Sequence, residues 1–366
     1  MTPFNFENIT NPGVLKLRVF QAPPEVDNLS SLIKLDANES MLGPSQLVRE
    51  EIKAAIINTN FYPDAGAHSL KNSLSKHLQV LPEQLTLGNG SNDVLDIIGR
   101  TFAGPGDEII FSQYGFIVYH IVSQAVNATP VTVPASNWGN DLKAMLEAVT
   151  DKTKIIFLAN PNNPTGTWFE RPALESFLAA TPEHVIVVLD EAYVEYSTDS
   201  NIPDGLNYLP RYPNLIVTRT FSKAYGLAAL RVGYAIASKQ ITNLINRLRQ
   251  PFNVNRFALT AAQAALEDQP HLQRTVILTE QGMAQWVDGL NELGLEYIPS
   301  KGNFICINVA DAVGVSQLLA KDNIFVSPLA NYGMPAYIRI SIGTFEQNKL
   351  VLLALKKIRR TESQNK

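Results

Sequence analysis

Hydrophobic positions in the middle of the chain come in short runs, separated by polar stretches with helical spacing. Apolar runs fall at residues 108–111, 129–133, 154–158, 185–189, 215–217 and 233–237. Several are apolar at every position, which suits strands covered on both faces rather than strands with one face in water. Between them, 92–102, 141–148 and 171–180 read as helices, and the amphipathic stretch 240–249 stops before Pro251. Alternation of this kind predicts an α/β fold built on a parallel sheet.

The texture changes beyond residue 255. Long helical patterns over 258–267 and 271–293 lead to a strand at 303–309, a helix near 315–321, two strand-like runs and a closing helix over 344–360. This predicts a separate α+β lobe, and 366 residues are in any case too many for one simple core. The first thirty or so residues are rich in Pro and Asn with weak periodicity, which predicts an arm. The expected division is an N-terminal arm at 1–33, a large domain at 34–255 and a small domain at 256–366, with residues near 34–45 packing on the small one.

Composition narrows the function. Hydrophobic residues make up 45% and charged residues 17%, as in globular enzymes rather than disordered chains. A net charge of −4 with no basic run argues against nucleic-acid binding. No stretch has the length and apolarity of a membrane span, and the first residues lack a secretion-signal pattern. The single cysteine, Cys306, allows no internal disulfide, which fits a reducing compartment. A cytoplasmic enzyme without membrane or nucleic-acid partners is expected. His68, His77, His120, His184 and His271 share no metal-like spacing, so no metal site is expected.

Four segments at strand ends carry candidate chemistry. Gly88-Asn89-Gly90-Ser91-Asn92-Asp93 opens a helix, where free backbone N–H groups and the helix dipole suit a phosphate. Its plain alternative is a turn with an N-cap. Asn160-Pro161-Asn162-Asn163-Pro164-Thr165-Gly166 follows the 154–158 strand and sets an asparagine amide where α/β folds place ligands, although turn chemistry alone would explain the prolines. Asp190 ends the apolar 185–189 strand, where a poorly solvated carboxylate needs a cationic partner. Lys223 lies between hydroxyl residues and a small-residue stretch, a setting that suits an amine forming a Schiff base but also a solvated loop lysine.

Together, Asn-Pro-x-Asn-Pro-Thr-Gly, Asp-x-Ala-Tyr and Ser-Lys with Arg231 eight residues later resemble the fold-type I aminotransferases that use pyridoxal 5′-phosphate. The order and spacing of Asn163, Asp190, Lys223 and Arg231 match over about seventy residues. The resemblance implies a three-layer α/β/α large domain with a smaller α+β domain. It implies that Lys223 holds the cofactor and shuttles the 1,3-proton transfer, and that Asp190 pairs with the pyridine nitrogen. Asn163 and Tyr193 would hydrogen-bond the phenolic oxygen. Ser91, Asn92, Thr220, Ser222 and Arg231 would hold the phosphate. Tyr114 would stack on the ring, with Phe116 the second choice. Tyr62 would reach the phosphate of the neighbouring subunit, which makes the active unit a homodimer. An amino donor and a 2-oxo acid acceptor are the implied substrates.

Within that group the chain resembles the histidinol-phosphate aminotransferases. The resemblance lies in Asn38-Glu39 before Leu42-Gly43-Pro44, in Tyr62-Pro63, in the 219–228 segment, in 251–255, in Tyr332-Gly333 and in Arg339-Ile340-Ser341-Ile342-Gly343-Thr344. It implies that Arg339, whose planar fork suits carboxylates and phosphates, receives the anionic end of the substrate, with Asn38 and Glu39 close by. Three positions depart from the pattern. Ser40-Met41 stand where Asn-Pro is usual, Ser327 stands where an arginine helps bind the substrate phosphate, and Arg256 replaces a small polar residue. Arg256 is a candidate compensating cation. Ser327 also leaves room for donors without a phosphate, such as aromatic amino acids, and threonine-phosphate decarboxylases share the cofactor residues.

Overall fold

The computed structural model describes residues 5–19 and 32–364. After a two-residue strand β1 (Ile33–Lys34) come the seven strands of the main sheet. These are β2 (Leu85–Gly88), β3 (Glu108–Ser112), β4 (Thr129–Val133), β5 (Thr153–Ala159), β6 (Ile186–Asp190), β7 (Leu215–Thr220) and β8 (Gly233–Ala237). Their order across the sheet is β2-β8-β7-β6-β5-β3-β4. The β3, β4, β5, β6 and β7 pairings are parallel, and β8 runs antiparallel to both β7 and β2.

Alternate residues of each strand go to opposite faces, and both faces are covered. Ile156, Leu158, Val187, Leu189, Leu215 and Val217 enter one core. Ile155, Phe157, Val188 and Ile216 enter the other. All ten are essentially shielded from water, and burying each such side chain contributes roughly 1.5–3 kcal/mol. This explains why the middle strands read as unbroken apolar runs. Strand β2 escapes the sequence reading because it has four residues and ends in glycine, yet all four are buried. The helices Gln46–Ala55, His68–Leu78 and Ile117–Ala125 were not expected either.

The second sheet uses β9 (Tyr297–Ile298), β10 (Phe304–Asn308), β12 (Ser327–Leu329) and β13 (Met334–Ser341), in the order β12-β13-β10-β9. A short strand β11 (Ile324–Phe325) pairs in parallel with β1. Leu35, Trp286, Ile305, Ile307, Ile338 and Ile340 form its core, with Met41 packed against them. Residues 33–41 therefore belong with the C-terminal sheet. Helix Arg256–Glu267, conversely, buries Ala258, Ala261 and Ala262 in the first core. We propose the two lobes 34–255 and 256–366 with these two exchanges. Residues 1–4 and 20–31 of the expected arm lie outside the described residues. Its described part makes turns at Phe6–Ile9 and Val14–Lys16, and Asn11 Nδ2 donates to Ala125 O at 3.2 Å. Among the described residues no helix is long and apolar enough to cross a membrane.

Candidate active site

Strands β5, β6 and β7 end side by side, Ala159 opposite Asp190 and Asp190 opposite Thr218. Their carboxyl ends open on a cavity of about 430 Å³, the position where open α/β sheets bind ligands. Asp190 is 5% exposed. Its carboxylate accepts hydrogen bonds from Tyr119 Oη (2.8 Å) and Thr218 Oγ1 (3.1 Å), and no ion pair to it is present among the described residues. Burial pushes its pKa up, opposed by these hydrogen bonds. A buried carboxylate without a cation is costly, so this end of the cavity is built for a positive group.

Lys223 enters the same cavity from the loop after β7. Its Nζ donates to Ala37 O at 2.9 Å and lies 5.8 Å from the centre of the Tyr193 ring. Burial first, then the positive charges of Arg339 and Arg231, bring its pKa down to about 7. Such an amine is substantially uncharged at neutral pH and can attack a carbonyl. Tyr193 goes the other way: burial pushes its hydroxyl up to about 12, so it remains a donor. Asn38 Nδ2 donates to the Tyr193 hydroxyl at 3.0 Å.

The opposite end is made by the helix Ser91–Phe102, whose N-cap Gly90 offers no side-chain cap. Its first N–H groups are left for an anion. Gly90 has φ 86° and ψ 166°, backbone that glycine alone adopts readily. A Cβ at Gly90 would collide with the Arg231 guanidinium, and one at Gly233 with the Ser91 backbone. Arg231 Nη1 donates to Ser222 Oγ (3.2 Å) and Ala228 O (2.8 Å). Thr220 Oγ1 accepts from Ser222 N at 3.1 Å.

The substrate side carries Arg339 from β13. Its Nη1 donates to Asn163 Oδ1 at 2.5 Å and its Nη2 to Asp36 O at 2.8 Å, while Nε is buried without a partner. Ser327 sits opposite Arg339 in the β12–β13 pairing, and Asn38, Glu39, Asn331 and Tyr332 complete that wall. Lys34 Nζ holds Glu39 Oε2 at 2.7 Å.

The structure thus gathers Ser91, Asn92, Asn163, Asp190, Tyr193, Thr220, Ser222, Lys223, Arg231, Asn38, Glu39 and Arg339 around one cavity. Three expected residues lie elsewhere. Tyr114, the expected stacking residue, is not among the residues that line the cavity. Its ring packs on Trp138 at 5.3 Å, and Phe116, the second choice, is in the wall. The reason is the turn into helix Ile117–Ala125, which sends the N-cap Phe116 and the buried Tyr119 inward on one helix face. Tyr119 was missed, although its i,i+3 spacing from Phe116 was a usable signal. Tyr62 is 78% exposed and stacks on Phe252 at 4.6 Å. Arg256 is also outside the cavity, where its Nη2 donates to Tyr62 O at 2.8 Å.

These features fit pyridoxal phosphate. A pyridinium nitrogen would pair with the buried Asp190 carboxylate, the free N–H groups at Gly90–Ser91 with Arg231 offer donors to a phosphate, and Lys223 presents a nucleophilic amine in the same cavity. Residues 30–355 match the family model for class I and II aminotransferases. The chain belongs to that family. A protein of Pseudomonas aeruginosa, histidinol-phosphate aminotransferase 2, is 49% identical over 363 residues, covering 97% of this chain and 98% of its own. A histidinol-phosphate aminotransferase 2 of Hydrogenovibrio crunogenus is 48% identical over 95% of each chain. Among solved structures, histidinol-phosphate aminotransferase of Sinorhizobium meliloti in complex with pyridoxal 5′-phosphate superposes with a TM-score of 0.87. It is 29% identical and covers 98% of this aminotransferase and 99% of its own chain. L-threonine-O-3-phosphate decarboxylase of Porphyromonas gingivalis shares the fold, with a TM-score of 0.81 over 90% of this chain and all of its own, at 22% identity.

Proposed function

We propose that this aminotransferase moves the amino group of L-histidinol phosphate to 2-oxoglutarate, giving imidazole acetol phosphate and L-glutamate with pyridoxal 5′-phosphate as cofactor. The reading is carried by one juxtaposition: an amine with its pKa brought down to about 7, an unpaired buried carboxylate and a free-edged guanidinium share a single cavity. Relatives near 49% identity over almost the whole chain supply the substrate name. When bound, the cofactor supplies an electron sink for the pair left at the donor's α-carbon.

Each residue then has a stated task. Lys223 Nζ would hold the cofactor by its aldehyde and, as a free amine, would move the proton at the donor's α-carbon. Asp190 would pair with the ring nitrogen, with Tyr119 and Thr218 fixing the carboxylate. Tyr193 Oη and Asn163 would donate to the phenolic oxygen, with Asn38 orienting Tyr193. Phe116 would lie against the ring. The N–H groups of Ser91 and Asn92, with Thr220, Ser222 and Arg231, would hold the phosphate. Arg339 binds the α-carboxylate of glutamate or the phosphate of the other substrate, alternately, with Asn38 and Glu39 beside it.

A homodimer is part of the proposal. Tyr62, Phe61 (64% exposed) and Ile57 (83%) leave an apolar face open, as an unmade interface would. On such a face Tyr62, with Arg256 bound to its carbonyl, would serve the neighbouring site, where Arg256 could offset the loss of charge at Ser327. A cytoplasmic setting is supported by the single unpaired cysteine.

The test is a donor panel. With 2-oxoglutarate as acceptor, kcat/KM for histidinol phosphate should exceed that for phenylalanine and tyrosine. Negligible turnover of histidinol phosphate alongside turnover of an aromatic amino acid would transfer the assignment to unphosphorylated donors. Carbon dioxide release without need of 2-oxoglutarate would make the enzyme a decarboxylase. Lys223→Ala should lose at least ~10³-fold in turnover, because it removes both the attachment point and the proton carrier.

A further inference from the structure

Asn38 has left-handed backbone, with φ 53°, and is 1% exposed. Such a conformation persists where the surroundings fix it. Three bonds do so here. The Asn38 N–H donates to Ser341 Oγ at 2.8 Å, its carbonyl accepts from Asn303 Nδ2 at 3.1 Å, and its Nδ2 donates to the Tyr193 hydroxyl at 3.0 Å. Ser341 lies on β13 opposite Phe304 of β10, and the Phe304 ring makes a T-shaped contact with that of Tyr193 at 5.1 Å. The C-terminal lobe therefore grips both the ring and the hydroxyl of Tyr193, which stands on the loop after β6.

These bonds have a direction. A hydroxyl carries one proton and two acceptor lone pairs. Ser341 Oγ accepts from Asn38 N and sends its own proton towards Asn38 Oδ1 at 3.5 Å. That leaves the NH2 end of the amide for Tyr193 Oη. Tyr193 is thus an acceptor from Asn38, and its own proton has no acceptor among the described residues, while its side chain lines the catalytic cavity. Turned over, the amide would take the Tyr193 proton for itself. It would also face Ser341 with a donor, and the Ser341 proton would lose its acceptor.

We propose that Ser341 and Asn303 are positioning residues which, through Asn38, fix the Tyr193 hydroxyl as a donor into the cofactor site from the C-terminal lobe. Neither is among the residues that line the cavity, so both act through Asn38. This role rests on the cofactor site proposed above. A donor on the phenolic oxygen favours its anionic form, so the network lowers the pH at which the visible band of the holoenzyme titrates. The same segment meets two more site residues. Arg339 Nη2 donates to Asp36 O at 2.8 Å and Lys223 Nζ to Ala37 O at 2.9 Å. Residues 36–38 thus touch the substrate arginine, the lysine and, through Asn38, the tyrosine in turn.

The test is a pH titration of the visible absorbance of the holoenzyme, with steady-state constants measured beside it. Tyr193→Phe should move the midpoint upward. Asn38→Gly, which keeps the left-handed backbone without strain, should move it the same way by roughly 0.3–1 pH unit. Ser341→Ala should do likewise, and Ser341→Thr, which restores the hydroxyl, should titrate like the parent. In a Tyr193→Phe background Asn38→Gly should add nothing. The network is cut at two points, so a folding defect in one variant does not decide the matter. A merely structural role for Ser341 would instead disturb Arg339, two residues away on β13, raising KM for 2-oxoglutarate and leaving the midpoint in place. That result, an unmoved midpoint in Asn38→Gly, or an equal shift in the Tyr193→Phe background would each overturn the inference alone. A parent enzyme with no visible band after incubation with pyridoxal 5′-phosphate would overturn the cofactor reading, and this role with it.

Discussion

Lys223 and Asp190 are both held away from their ordinary ionisation by burial, in opposite senses of charge. The Lys223 amine has its folded-state pKa brought from 10.5 to about 7. Capture of an aldehyde by the cofactor-free enzyme should therefore rise as pH climbs from 6 towards 7 and level off above about 8, which stopped-flow absorbance would follow. A rise continuing to pH 10 would mean that the amine is unperturbed. The sign for stability follows from proton counts. Between pH 7 and 10.5 the unfolded lysine binds more protons than the folded one, so its contribution favours folding increasingly as pH rises through that window. For Asp190 the expectation is a split outcome. Asp190→Asn should raise the melting temperature of the cofactor-free protein, because an unpaired buried charge disappears. Turnover should fall by about 10²-fold or more, because the charge facing the reacting system is gone. A fall in both would show that the Tyr119 and Thr218 hydrogen bonds already satisfy the carboxylate.

At the scale of elements, the site is a set of strand ends and one helix start held in register. Gly90 illustrates how tight that register is. Its φ of 86° with ψ 166° is strained for any side chain, and an added methyl meets Arg231. Gly90→Ala should cost about 1–3 kcal/mol of stability and weaken cofactor retention, read as loss of the visible band on dilution. Retention equal to the parent enzyme would separate the Arg231 cradle from phosphate binding. Helix Ile117–Ala125 teaches the same lesson in reverse. A difference of two positions between Tyr114 and Phe116 moves an aromatic ring from a Trp138 contact to the cavity wall, and only the turn into the helix decides which.

At the scale of the whole molecule, the exposed Tyr62 face predicts that one catalytic centre draws on two chains. Tyr62→Ala and Lys223→Ala homodimers should each be severely impaired. Mixed and re-associated, they should recover roughly a quarter of parental activity, since half the dimers are hybrids with one intact site of two. No recovery in a mixture shown to exchange subunits would confine Tyr62 to its own chain. The β1–β11 ladder belongs to this scale too. It ties residues 33–41, which carry Asn38 and Glu39, to the C-terminal lobe through β11, and the Asn38 N–Ser341 Oγ bond joins them to the strand that carries Arg339.

The sequence by itself determined the parallel sheet and most of the site. Strands buried on both faces must be apolar throughout, and Asn163, Asp190 and Lys223 follow such strands directly, so their convergence is a property of βαβ winding. The chemistry proposed for Lys223 was legible through the family resemblance carried by the spacing of Asn163, Asp190, Lys223 and Arg231. What the tertiary structure alone decided is everything that depends on direction or distant pairing. The four-residue β2 owes its existence to β8 beside it. Tyr119 bonds Asp190 across 71 residues. Arg219's commitment to Glu191 and Asp204 likewise appears only in the folded chain. A chain pattern encodes which face a residue lies on, but not which neighbour from another segment waits there.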